Sequence, residues 1–148
     1  MNSGRRMANR YYIDSNIVIS YFKSEKGGYT KIQHKRVEEL LEKIEKENID
    51  IVLSDLFMKE TAKKLKYNTK KEILDLFKTT KVIQAKTKER DLEKAIQLEK
   101  NRGIHSPDSV HVAIAKRLNS NYIVTWNMKD FEKTKDIVKP ATPFYLTT

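Results

Sequence analysis

Four short apolar runs, separated by stretches of helical periodicity, constrain this chain more than any other feature. They are YYI at 11–13, IDIVLS at 49–54, KVIQA at 81–85 and YIVTW at 122–126. Each is rich in β-branched or aromatic residues and too short to be a buried helix, so each reads as a strand. The stretches between them have a different period. In TKIQHKRVEELLEKIEKE, Val37, Leu40, Leu41 and Ile44 fall on one stripe behind a Thr30–Gln33 capping box. DLFMKETAKKLKY and TKKEILDLFK read as two more helices, the second opened by a Thr69–Glu72 capping box. ERDLEKAIQLEK reads as a helix with Leu92, Ala95 and Ile96 inward. SPDSVHVAIAKRLN reads as one with Ser106 as N-cap and Pro107 at the first helical position. FYLTT, or the preceding DIVK, is expected to supply a fifth strand.

Strands alternating with helices imply right-handed crossovers and a mostly parallel sheet covered on both faces. The expected fold is therefore α/β, a three-layer Rossmann-like arrangement of about five strands. At 148 residues, with three Pro, four Gly and no repeat, one domain over 11–148 is expected. The basic residues 1–10, MNSGRRMANR, read as a tail. No apolar segment follows them, so no signal peptide is expected, and no run approaches the roughly 18 apolar residues of a membrane span.

The absence of cysteine excludes a disulfide scaffold, a thiolate zinc site and a cysteine nucleophile, and fits a cytoplasmic protein. Lys and Arg number 30 against 20 Asp and Glu, a net charge of +10 that attracts polyanions, nucleic acid first.

Against that basic background, four carboxylates fall where such a sheet forms its sites, beyond the carboxyl ends of the strands. Asp14 follows the first strand and Asp130 the fourth. Asp108 opens the helix before the fourth strand, and Glu60 lies in the helix after the second. Each has an ordinary explanation. Asp14 sits in DSN, a good capping sequence, and Asp108 suits a helix dipole. Glu60 can pair with Lys64, and Asp130 can close a capping box with Asn127. Together they form an acidic quartet that repels itself unless a divalent cation neutralises it. Oxygen ligands without His or Cys favour magnesium or manganese. An acidic, metal-loaded hole in a basic surface suits a nuclease, with Lys59, Lys63 and Lys64 available to phosphates.

The same segments resemble a known family. YYIDSNIVISYF is similar to the opening Asp-(Ser/Thr)-Asn strand of PIN-domain proteins, and LSDLFMKETAKKL resembles their Ser-to-Glu helix. SPDSVHVAIAKRLNSNYIVTWNMKDF is similar to their most specific segment, an Asp-opened, Ala-rich helix and a strand ending in Thr-x-Asn-x-x-Asp-Phe. IVKPATPFYL resembles the terminal strand, so that the likeness spans roughly 11–146. It implies a metal-dependent endoribonuclease with Asp14, Glu60, Asp108 and Asp130 as catalytic acids. Asp14, Asp108 and Asp130 would hold magnesium or manganese, and Asn16 and Thr125 or Asn127 would support them. Single-domain chains of this length are most like VapC-type toxins, which implies RNA as substrate and a cognate antitoxin as partner. A homodimer is left open.

Asp55 before the Glu60 helix and the long connection SEKGGYTKIQHK depart from the pattern. The alternatives are a PIN-like module that binds RNA or protein without cutting, and an RNA-processing nuclease outside toxin–antitoxin pairs. Ser15 lacks a His–Asp pair to activate it. A phosphatase built on Asp14 would want a second acid where Asn16 stands, and no Gly-rich phosphate loop follows a strand. His111 is expected to be an ordinary half-buried histidine, Trp126 a core residue, and His34 and His105 surface residues.

Overall fold

A computed structural model describes residues 9–23, 29–66 and 70–148, apart from the side chains of residues 29 and 30. The expected capping boxes at Thr30–Gln33 and Thr69–Glu72, most of the 1–10 tail and part of the first long connection lie outside the described residues. Five strands form one sheet: β1 (Arg10–Ile13), β2 (Asp50–Ser54), β3 (Val82–Ala85), β4 (Tyr122–Val124) and β5 (Lys139–Ala141). Their order is β3-β2-β1-β4-β5, and every neighbouring pair is parallel. The helices are α1 (Ser15–Phe22), α2 (Tyr29–Lys46), α3 (Asp55–Lys64), α4 (Lys70–Asp75), α5 (Glu89–Arg102), α6 (Ser106–Arg117), α7 (Met128–Phe131) and α8 (Pro143–Thr147). No helix among the described residues is long and apolar enough to cross a membrane.

The two-residue period of the strands divides the core into two layers. Tyr11, Ile13, Ile51, Leu53 and Val124 face one way, onto Ile17 of α1, Val37, Leu40 and Ile44 of α2, and Phe57 of α3. Tyr12, Val52 and Ile123 face the other, onto Ala95 and Leu98 of α5, Val112 and Ile114 of α6, and Phe131. The α2 stripe expected at 37, 40, 41 and 44 is the one that packs, with Leu41 at its margin.

Three local expectations are corrected. FYLTT is helix α8, not strand. Thr142 caps it, its hydroxyl accepting from the Tyr145 amide at 3.2 Å, with Pro143 at the first helical position. The fifth strand is KPA, where edge position tolerates Pro140, which has no amide to donate. In α6, His105 occupies the N-cap position and Ser106 is the first helical residue.

The third correction concerns the face of α5. Leu92 and Ile96 point to solvent, 48% and 52% exposed, while Asp91 is 2% exposed. A polar interaction sets that rotation. Arg117 of α6 grips the Asp91 carboxylate through Nε at 2.9 Å and Nη2 at 3.0 Å, and the Lys88 amide donates to it at 2.8 Å. The inward stripe is therefore Asp91, Ala95 and Leu98. Gly103 ends the helix at φ 67°, a left-handed conformation that favours glycine.

Removing one partner of a buried pair leaves the other charge stranded. Asp91→Ala should cost about 3–5 kcal/mol in urea unfolding, whereas Leu92→Ala should stay within about 0.5 kcal/mol. Comparable losses would put Leu92 back in the core.

Candidate functional site

The strand order runs outward from β1 in both directions, through β2 to β3 and through β4 to β5, so β1 and β4 flank the topological switch. Asp14 is the first residue beyond β1. Its amide donates to the Val124 carbonyl at 3.0 Å, which extends the β1–β4 register by one residue. Asp14 occupies the N-cap position of α1, yet its side chain makes no capping bond. Its Oδ2 instead accepts from the Thr125 hydroxyl at 2.7 Å. The Thr125 oxygen accepts in turn from the Asn127 amide at 2.9 Å and from Asn16 Nδ2 at 3.2 Å. Asn16 Oδ1 takes the Trp126 amide at 3.3 Å. Asn16, Thr125 and Asn127 thus bear on one carboxylate.

Glu60 reaches the same place from α3, whose N-cap Ser54 is the last residue of β2. Glu60 Oε1 accepts from the Ser15 hydroxyl at 2.8 Å and from His111 Nε2 at 3.0 Å. The Glu60 carboxylate therefore turns inward rather than pairing with Lys64, and Lys59, Lys63 and Lys64 are exposed. His111 lies one turn beyond Asp108 on α6, and its Nε2 is 4.0 Å from Asp14 Oδ1. Its Nδ1 is bonded to the Tyr12 hydroxyl. The ligand-type atoms of Asp14, Glu60 and His111 lie within 4.8 Å of one another. Asp130 sits in α7, where Oδ2 accepts from Asn127 Nδ2 at 2.9 Å. Asn127 makes no side-chain cap, so Asn127 and Asp130 hold each other instead of closing the helix end.

The acids act on one another. Burial pushes the Asp108 carboxyl up to about 6, and the charges of Asp14, Asp130 and Glu60 add to the rise. Burial also raises Asp14, against the lowering effects of His111 and the Thr125 hydrogen bond. For Glu60, burial opposes ionisation, but the His111 hydrogen bond and charge and the Ser15 hydroxyl outweigh it and hold the carboxyl below its ordinary value. His111 is the reverse case. Burial disfavours its charged form, yet the bond to Glu60 and the charges of Asp14, Glu60 and Asp108 raise it overall.

The family model for the PIN domain matches residues 11–137. The chain belongs to the PIN domain family. No curated protein matches it. Among solved structures, FitAcB from Neisseria gonorrhoeae is similar at 16% identity, covering 91% of this chain and 99% of that one, with a TM-score of 0.62. A toxin–antitoxin complex from Klebsiella pneumoniae is similar at 22% identity, with 90% and 97% covered and a TM-score of 0.59. VapBC-1 from nontypeable Haemophilus influenzae is similar at 23% identity, with 91% and 98% covered and a TM-score of 0.59. At these identities the likeness is one of fold.

In this PIN domain the helix-borne histidine is the residue that sequence reasoning undervalued. His111 is 1% exposed, not half-buried, and both its ring nitrogens are engaged. A signal was present: a histidine among Val110, Val112 and Ile114 cannot stay buried without polar partners. Tyr12 and the supporting role of Ser15 went unseen. His34 is also only partly exposed, stacked on Tyr21 at 4.1 Å. Asp55, a departure from the pattern, has a structural role: it accepts from the Thr87 hydroxyl at 2.6 Å and the Thr87 amide at 3.0 Å, pinning the start of α3 to the chain after β3. Trp126, expected in the core, is only partly buried at its margin, where it packs edge-on to Phe144 at 5.9 Å and donates to Ser20 at 2.9 Å.

The raised Asp108 has a signed consequence. A carboxyl whose folded pKa lies above its unfolded value near 4 stabilises the fold in acid, and that share is lost as pH rises through about 6. With chelator present, Asp108→Asn should therefore gain stability relative to wild type between pH 4 and 7. Urea unfolding at four pH values measures it; a difference that does not change with pH would remove Asp108 from the acidic cluster. Glu60, held low, works in the opposite sense, its share being lost on acidification.

Proposed function

We propose that this PIN domain is a divalent-metal-dependent endoribonuclease and the toxin of a toxin–antitoxin pair. The observation that carries the reading is geometric: beside the β1–β4 switch, ligand-type atoms of Asp14, Glu60 and His111 lie within 4.8 Å of one another, and Thr125 holds the Asp14 carboxylate in place. A protein with a net charge of +10 has no structural need to bring Asp14 and Glu60 together beside that switch, with Asp108 in their field. Gathered acids are the complement of a small hard cation, and an all-oxygen donor set fits magnesium or manganese. Asp14, Asp108 and Asp130 would hold that ion, with Glu60 sharing the task or orienting the attacking water. When bound, the ion supplies a Lewis acid for phosphodiester hydrolysis.

The remaining work falls to the chain's own residues. Thr125, Asn16 and Asn127 fix the Asp14 carboxylate so that it need not reorganise when substrate arrives. Ser15 holds Glu60. Lys59, Lys63 and Lys64, exposed on the helix that carries Glu60, are candidates for phosphate contacts. The toxin assignment is supported by a structural relative described as a toxin–antitoxin complex. On this reading a cognate antitoxin silences the enzyme in the cytoplasm, with a second copy of the chain as a further partner.

Purified protein should cleave RNA in manganese and stop when EDTA is added. Asp130→Asn should keep fold and RNA affinity, since Asn has the same size and its amide oxygen can still accept from Asn127, while cleavage falls steeply. Wild-type cleavage by Asp130→Asn would remove Asp130 from the site. RNA binding without cleavage by the wild type would favour the binding-module alternative.

Manganese should also raise the Tm of the wild type, because a ligand at 100 times its Kd adds about 2.7 kcal/mol. The shift should largely vanish in Asp14→Asn. Equal shifts in the two proteins would place the ion elsewhere.

A further inference from the structure

Among the described residues, the tightest trio of ligand-type side chains, Asp14, Glu60 and His111, leaves the role of the histidine open. We infer that His111 is a positioning residue for Glu60 that stands outside the metal's ligand set, and that Tyr12 holds it there. The inference deepens the nuclease reading and rests on that reading for its kinetic consequences.

Both in-plane positions of the imidazole are taken. Nε2 is 3.0 Å from Glu60 Oε1, and Nδ1 meets the Tyr12 hydroxyl. A carboxylate only accepts, so Nε2 carries the proton of that bond whether the ring is neutral or charged. A metal ligand must offer a lone pair at the same position. Ligation through Nε2 would therefore cost the ring its proton and Glu60 its partner. Nδ1 is turned into the core, against a tyrosine that is 0% exposed.

The Tyr12 hydroxyl is anchored in its turn. It lies 2.8 Å from Ser54 Oγ, which accepts from the Phe57 amide at 3.0 Å as the N-cap of α3. The Tyr12 ring stands edge-on to the imidazole, with centroids 5.4 Å apart and planes at 69°. Phe57, Ser54, Tyr12, His111 and Glu60 form one hydrogen-bonded path that leaves α3 at its first turn, crosses β1 and α6, and returns to α3 at Glu60. The path fixes the glutamate against its own helix. Both donors to Glu60 use Oε1. Oε2 accepts no hydrogen bond among the described residues and is the oxygen left for a cation or a water.

A group that orients a ligand in this way is worth about 10- to 100-fold in activity or metal affinity. The glutamine amide nitrogen can replace the Nε2 donor; leucine cannot. His111→Gln should stay within about tenfold of wild type in kcat. His111→Leu should fall about 10- to 100-fold in kcat at unchanged RNA affinity, and Tyr12→Phe about tenfold. Pulsed EPR of manganese bound to protein carrying 15N-histidine should show no nitrogen coupling. A coupling would make His111 a ligand and overturn the inference, as would wild-type kcat in Tyr12→Phe. Should His111→Leu fail to fold, Tyr12→Phe and the EPR spectrum still decide.

Metal-free NMR keeps this inference separate from the nuclease reading. The His111 Nε2 proton should be visible, slow to exchange, and shifted by both Glu60→Gln and Tyr12→Phe. A wild type that neither binds manganese nor cleaves would sink the nuclease reading while leaving that contact standing. An Nε2 proton indifferent to Glu60→Gln would sink the contact itself.

Discussion

The parallel pairing of β1 with β4 is the constraint on which the rest depends. These strands are distant in sequence, and only their register, Ile13 opposite Val124, brings residues 14 and 125 together. The Asp14 amide continues that ladder to the Val124 carbonyl, so a backbone hydrogen bond places the first carboxylate. The side chains then complete it, with Thr125 donating across the same gap. A shift of one residue would send Ile13 to the wrong face and break the carboxylate–hydroxyl contact together. Fold and site therefore share one specification.

The strand ends show how the chain accommodates a polar centre between two apolar layers. β1, β2 and β4 run through buried apolar residues and finish at Asp14, Ser54 and Thr125, all 7% exposed or less. Buried polar groups cost stability unless bonded. Here the hydroxyls are the means: Ser15, Ser54, Thr125 and Tyr12 each bond to a neighbour in the cluster. Hydroxyls both donate and accept, so they link carboxylates, amides and an imidazole without adding charge. What they leave uncompensated is the burial of Asp108, which raises its carboxyl, and the charges of the neighbouring acids add to that rise.

Much of this was legible in the sequence, for reasons that particular residues make plain. Strand β1 and the stripe of α2 follow from periodicity, and the parallel sheet follows from alternation. Asp14 and Asp130 stood out as carboxylates after strands, Asp108 at a helix start, and Glu60 within the helix after β2. The failures share a cause, which is long-range polar pairing that local pattern does not encode. Leu92 and Ile96 have the spacing of a buried stripe, but Arg117, 26 residues after Asp91, rotates α5 the other way. His111 looked ordinary because its partners come from β1 and α3. FYLTT has strand-like composition, yet Thr142 and Pro143 begin a helix, and the local start signal outweighed side-chain preference.

The segment TWNMKDF joins these threads. Read locally, Asn127 and Asp130 are a capping box. In the fold the Asn127 amide donates to Thr125 Oγ1 and its side chain donates to Asp130, while the helix end goes without a side-chain cap. α7 is only four residues long, and Phe131, fully buried, anchors it to the sheet. Tertiary packing thus supplies the stability that a cap would have given, at about 1 kcal/mol. That substitution leaves two good capping residues free to bond each other and Thr125. The chain beyond β4 therefore places a hydroxyl that bonds Asp14, an amide that bonds Asp130, and Asp130 itself within six residues.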